Sequence, residues 1–286
     1  MAVYKRTYRA YNGPTTNPMW RFLVLQRYAL KAIFRSRFLL IGYLACFIGP
    51  LLAICVVYLN QNAGILAQVG QKPGFLRING GWFMNFLTVQ GVLAGLLTAF
   101  AGPSLVAPDL TNGALSVYLS RPFSRAEYIL GKGSVLGALI ASITLLPTLL
   151  LFIVQASLSG FTWFEDNIFI AGGAIAVCAL MMTLFILLGL AMSAWVRWRI
   201  VAGALILGVF VAGKGFGAVI NAAMSTDIGH YLDLQHLLGV VGSSLFQNPV
   251  PDESISALAA SLVIILVCAL LLLLINRKLR VCEVAG

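Results

Sequence analysis

Charge is what this sequence has least of. Only 10% of its 286 residues are charged, while 60% are hydrophobic and mean hydropathy is +0.95. A soluble domain needs far more charge to cover its surface, so that class is excluded and the chain reads as an integral membrane protein. Acid is scarcer than base, with nine Asp and Glu against nineteen Lys and Arg. No carboxylate falls inside an apolar run long enough to span a bilayer. That weighs against proton- and sodium-coupled carriers, which usually need one there. Polar/apolar alternation is missing too, and with it the signature of a membrane β-barrel. The five cysteines form no C-x-x-C: Cys46, Cys55, Cys178 and Cys268 sit in apolar runs and Cys282 in the tail, so no disulfide framework or thiolate metal site is indicated. No Ser/His/Asp set, Cys/His set or carboxylate pair stands in a catalytic setting. The stretch "GVFVAGKG", 208–215, falls short of a phosphate-binding loop, because Gly215 stands where Ser or Thr must hold the metal and no strand precedes it. The chain is not an enzyme by these signs, and it is expected to hold no cofactor of its own.

Six apolar runs are present, at 38–59, 82–106, 134–158, 168–196, 200–223 and 255–275. Each meets the roughly 20 residues that a helix needs to cross a bilayer. The expected fold is all-α: a polytopic membrane protein with one transmembrane domain, 1–286, and six transmembrane helices. The two arginines of Val196-Arg197-Trp198-Arg199 predict a tight turn between the fourth and fifth spans. Six spans put both termini on one side, and charge identifies it. The first 37 residues carry eight Lys/Arg and no acid; Arg121, Arg125, Lys132, Arg197, Arg199, Arg277, Lys278 and Arg280 bring that side to sixteen. The opposite loops hold only Lys72 and Arg77, against Glu165, Asp166, Asp227, Asp233, Asp252 and Glu253. The positive-inside rule therefore predicts a plasma (inner) membrane protein with both termini cytoplasmic. The basic surplus is then a topology signal and an attraction to anionic membrane lipids, not a nucleic-acid footprint.

Residues 19–35 predict an amphipathic helix. Arg21, Arg27, Lys31 and Arg35 fall within an arc of about 120°, opposite Phe22, Leu23, Leu30 and Ile33. Such a helix should rest in the inner interface ahead of the first span. A cleavable signal peptide is not expected, since the first apolar run begins only at Phe38 and is too long for one.

Two features inside or near the runs carry chemistry. Lys214 is the only charged residue or His well inside a run. It either snorkels to the surface or faces a substrate path and attracts an anionic group. In "DIGHYLDLQH", Asp227, His230, Asp233 and His236 recur at intervals of three. Adjacent members could share a helical face and bind a metal. All four cannot, because they fan across about 180° of an α-helix. A short amphipathic helix in an outer loop, 224–254, accounts for the pattern without a metal.

The cytoplasmic ribbon "PDLTNGALSVYLSRPFSRAEYILGK", 108–132, is richer in signals. Pro108 discourages extension of the second span, and Asn112-Gly113 marks a turn. About two helical turns follow at 114–120, stopped by Pro122. Ser124 is a candidate N-cap with Glu127 completing a capping box, and Phe123 and Tyr128 occupy the staple positions. The arrangement displays Leu115, Tyr118, Leu119, Arg121 and Arg125 beyond the lipid.

The stretch "GALSVYLSRPFSRAEYILGKG" resembles the signature between the second and third spans of type-2 ATP-binding-cassette (ABC) exporter permeases. Asp109, Gly113, Leu115, Leu119, Ser120, Pro122, Ser124, Arg125, Gly131 and Lys132 match that pattern. Asp109 departs from the family's commoner Glu, and Phe123 from a smaller aliphatic residue. "LKAIFRSRFLLIGYL" is similar to the family's interface helix leading into the first span. The resemblance implies a permease that pairs with a second permease subunit, the same or different, and recruits two copies of a cytoplasmic ABC ATPase that binds ATP and Mg. It further implies that the ribbon holds a coupling helix, with Asp109, Gly113, Leu115, Tyr118, Leu119, Arg121, Pro122, Ser124, Arg125 and Glu127 as the ATPase-coupling residues. Cargo would move outward between the two permease subunits. The rival readings are a stand-alone secondary transporter or channel, and a membrane-embedded enzyme or assembly factor.

Overall fold

The computed structural model of the chain describes residues 21–62, 77–112, 124–196, 198–248 and 255–284. Backbone polar groups in hydrocarbon must be satisfied within the segment, which favours helices wherever an apolar run crosses lipid. Among the described residues every regular element is helical. α1 (Arg21–Phe34) precedes α2 (Arg37–Ala45) and α3 (Ile48–Gln61), which together form the first span. α4 (Gly80–Ala101) and α5 (Pro103–Thr111) form the second, and α6 (Arg125–Ile143) and α7 (Leu145–Ser159) the third. α8 (Phe161–Trp195) and α9 (Arg199–Met224) are the fourth and fifth. A 3-10 turn (Ile228–Leu232) and α10 (Leu234–Leu245) lead to α11 (Ala257–Val284), the sixth. The chain is an all-α, multi-pass membrane protein. α8 ends and α9 begins either side of extended Val196 and Trp198.

Successive spans run antiparallel, so Arg37, Asp109, Arg125 and Arg199 share one end of the bundle, here the basic end, and Glu165, Asp166 and Asp227 the other, the acidic end. The second, third and fourth spans are buried over about half their length; the first, fifth and sixth lie mostly at the periphery. Close crossings use small residues, as packing in lipid requires. A Cβ on Gly189 of α8 would stand 2.9 Å from Leu136 Cδ1 and 3.0 Å from Thr98 Cγ2, and one on Gly102 would stand 3.2 Å from Gly189 Cα.

The second span does not end before Pro108, as its sequence suggests: α5 contains that proline and runs to Thr111. A helix in lipid accepts proline when neighbours re-satisfy the freed backbone groups, and here Ser193 of α8 takes up three backbone groups of the restart. The break lies earlier, at Gly102. Pro103 has no N–H, so the Ala99 carbonyl loses its helical donor; Gly203 of α9 packs against it so closely that a Cβ there would lie 2.6 Å from that oxygen. Buried Ser193 of α8 splices the restart. Its Oγ accepts from Val106 N and Ala107 N, both at 3.0 Å, and donates to the Pro103 carbonyl at 3.2 Å. Ser193→Ala should therefore lower stability by about 1–3 kcal/mol, read as a fall in the thermal unfolding midpoint of the detergent-solubilised protein. An unchanged midpoint would mean the splice contributes nothing.

The segment 224–254 is not a simple outer loop. A Cβ on Gly217 would collide with the Gly229 carbonyl, and one on Gly213 with the Leu232 carbonyl. From Met224 the chain therefore turns back along α9 by roughly 15 Å at 1.5 Å per helical residue. It then returns as α10, whose Leu234, Leu237, Leu238, Val240 and Val241 are buried. Its end abuts the start of α4, where a Cβ on Gly80 would be 2.5 Å from the Phe246 carbonyl. Of the 3-10 turn only Gly229, pressed against Gly217, is buried, while Ile228 and Leu232 are exposed. The amphipathic outer helix expected there is replaced by a 3-10 turn and a largely buried apolar helix.

Candidate functional site

Two places combine polar chemistry with defined geometry: the basic end around Asp109, and a cavity beside Lys214. At the basic end, the Ser124–Glu127 signal forms as a full capping box. Ser124 Oγ accepts from Glu127 N at 3.2 Å, and Glu127 Oε2 accepts from Ser124 N at 2.6 Å and from Ser124 Oγ at 2.9 Å. This fixes the start of α6 nine residues before the apolar run that marks the third span. Tyr128 and Lys132 then share one face at i, i+4 spacing. That face meets the last turn of α5. Lys132 Nζ lies 2.8 Å from Asp109 Oδ2, and Tyr128 Oη donates to the same oxygen at 2.9 Å. The side chains of Lys132 and Asp109 are only 9% and 15% exposed. The ion pair thus bridges the two chain ends that flank 113–123.

α1 braces this assembly. Gln26 Nε2 donates to the Ser134 carbonyl at 3.3 Å, and Ile33 is buried while Leu25, Ala29 and Leu30 pack against the core. Arg27, Lys31 and Arg35 remain exposed, as does Leu23 of the apolar arc. A cavity of about 460 Å³ lies between α1, α2, α5 and Lys132, with Asp109 and Arg199 in its wall.

Of the residues singled out in the ribbon, Asp109, Ser124, Arg125 and Glu127 are described and cluster here. Gly113, Leu115, Tyr118, Leu119, Arg121, Pro122 and Phe123 lie outside the described residues. Tyr128, read from sequence as a surface staple, is buried and aimed at Asp109. In the sequence Lys132 reads as a cytoplasmic charge and as part of the family pattern, with no partner assigned to it. The capping signal that begins the helix could have placed both residues on one face.

The second place is a cavity of about 380 Å³ between α4, α8, α9 and α10. Its walls are apolar apart from Lys214, Gln235 and Thr88. Lys214 and Gln235 meet there because the returning chain sets Asp233 and Leu232 against Gly213. Sequence reasoning found Lys214 and missed Gln235, since nothing local in "DIGHYLDLQH" tells that it folds back beside α9.

The Asp/His ladder does not form one face. Asp227 and His230 belong to the 3-10 turn region, whereas Asp233 caps α10, its Oδ1 accepting from Gln235 N at 3.0 Å and His236 N at 3.1 Å. His230 and His236 stack with ring centroids 4.7 Å apart. Among the described residues no three metal-ligating side chains converge.

Comparison with known proteins gives one family. A family model described as ABC-2 family transporter protein matches residues 30–276. No curated protein matches the chain.

Proposed function

The chain belongs to the ABC-2 family of transporter proteins, and on that premise we propose that it is the permease of an exporter, paired with a second permease subunit and driven by two copies of a separate cytoplasmic ATPase that binds ATP and Mg. As an ABC transporter permease it is a membrane transport component and not itself catalytic. In this reading the basic end faces the cytoplasm of a plasma membrane, as the sixteen-to-two division of Lys and Arg argues. α1 then lies in the inner interface with Arg27, Lys31 and Arg35 toward lipid headgroups.

The observation that carries the coupling reading is the braced base of the ribbon. A push from a partner must reach the spans through a stiff contact, because a slack linker absorbs displacement. The Ser124–Glu127 box and the Asp109–Lys132–Tyr128 contacts supply that stiffness. They tie the end of the second span directly to the start of the third. Residues 113–123 lie between those fixed ends in the sequence and are, in this reading, the docking element. Tyr118 and Leu119 supply its apolar grip.

Tyr118→Asp combined with Leu119→Asp should reduce recovery of the ATPase in co-purification by roughly tenfold or more, while membrane insertion is unchanged. Normal recovery of the ATPase with that variant would reject the docking assignment.

A further inference from the structure

The cavity beside Lys214 has a chemical polarity, with polar groups at one level and hydrocarbon along the rest. We propose that it binds a single-chain amphiphile with one acidic headgroup, the headgroup held by Lys214 and Gln235 and the chain directed toward the basic end. This names a cargo class for the exporter reading and rests on it.

The charge argument comes first. Lys214 lies ten residues from Met224 and fifteen from Arg199, roughly 15 Å and 22 Å along α9. A cation at such depth is costly unless something compensates it. Among the described residues Lys214 makes no ion pair. Asp233, which the fold brings to the depth of Gly213, caps α10 through Gln235 N and His236 N and makes no ion pair with Lys214. An acidic ligand would supply the missing counter-charge.

Hydrogen bonding narrows the headgroup. Thr88 Oγ1 donates to the Met84 carbonyl at 2.9 Å, so it has only lone pairs to offer. The donors left at this level are the Lys214 ammonium and the Gln235 side-chain amide. Two adjacent donors suit the oxygens of a carboxylate, sulfonate or phosphate monoester, and they repel a quaternary ammonium.

Shape narrows the rest. From Thr88 to Leu96 the cavity follows eight residues of α4, roughly 12 Å. The volume is near the lower end of the roughly 300–1,000 Å³ usual for small-molecule pockets. That accommodates one hydrocarbon chain, not a polymer. Gly95 keeps it open: a Cβ there would still be 3.7 Å from the Phe185 ring, so a larger side chain would project into the space. The headgroup level lies toward the acidic end and the chain runs inward, which is the orientation of a lipid in the outer leaflet. The bound amphiphile is thus already reoriented for outward release.

The test uses the purified full-length chain in phosphatidylcholine nanodiscs and three dansyl-tagged probes of equal chain length: a fatty acid, the matching primary alcohol and the matching trimethylammonium. The acid should bind most tightly and the ammonium least. Lys214→Met should weaken acid binding by roughly ten- to a hundredfold, the range for one charge-assisted hydrogen bond, and leave the alcohol unchanged. Lys214→Arg should retain the acid, and Gly95→Leu should weaken acid and alcohol alike. Equal binding of acid and alcohol to the native chain, or undiminished acid binding by Lys214→Met, overturns the headgroup assignment. Undiminished binding by Gly95→Leu overturns the chain position. No ATPase takes part, so failure here leaves the docking reading intact, and failure of ATPase co-purification leaves this site intact.

Discussion

Lys132→Met is expected to destabilise the protein by about 3–5 kcal/mol, the usual cost of stranding one member of a buried ion pair. The carboxylate of Asp109 would keep only the Tyr128 hydroxyl, at 2.9 Å, after losing an ammonium at 2.8 Å. Its position aggravates the loss. Asp109 lies in the last turn of α5, where the helix dipole disfavours negative charge, so the cation opposite is what keeps it tolerable. Adding Asp109→Asn to Lys132→Met should restore most of the stability, because no unpaired charge remains and a neutral amide can still accept from Tyr128. The double variant should not fully restore coupling, since the ion pair tying the second span to the third is gone and only the Tyr128 bond remains. Thermal unfolding of the native protein, both single variants and the double variant supplies the cycle. A Lys132→Met protein as stable as native would mean that the pair is solvated and braces nothing.

Gly213→Ala and Gly217→Ala should each cost about 3 kcal/mol or more, although each adds only one methyl group. The new carbon would meet the Leu232 or Gly229 carbonyl, and a backbone carbonyl cannot swing aside as a flexible side chain can. The returning segment would be forced off α9, taking Gln235 away from Lys214. Gly215→Ala provides the control on the same helix. Nothing lies within 4 Å of a Cβ there, so the change should be neutral or stabilise by roughly 0.5–1 kcal/mol through helix propensity. The yield of monodisperse protein and its unfolding midpoint would separate these outcomes. Equal behaviour of the Gly217 and Gly215 variants would dismiss the close approach.

The spans were readable because lipid imposes a one-dimensional rule: about 20 apolar residues, whatever their partners. Where the third span's helix begins was readable from its cap and not from its apolar run, since the run marks what touches hydrocarbon and α6 starts at Arg125, well ahead of it. The capping box was legible because its bonds are local, spanning three residues. The Asp109–Lys132 pair was not, as it joins residues 23 apart through the crossing of two helices. Pro108 misled for a related reason. Proline's penalty is a local rule, and the bonds that support the restart of the second span come from Ser193 of α8, far along the chain. The fold-back of 228–245 was invisible because its specification sits in Gly213, Gly217 and Gly229, and a glycine in a helix does not announce what approaches it. That fold-back also brings Asp233 to the depth of Gly213, a carboxylate that counting along spans had placed outside.

The interruption at Gly102 and Pro103 has a mechanical consequence. On its acidic side α4 is stitched to α10 by Gly80 against Phe246 and by Met84 against Gly242; on its basic side α5 is locked to α6 by Asp109. Between these two rigid bodies the helical ladder lacks a rung, and bending stiffness falls most where such a rung is missing. In the coupling proposed above, a push at its foot would bend the second span at mid-depth and widen the chamber along its upper arm.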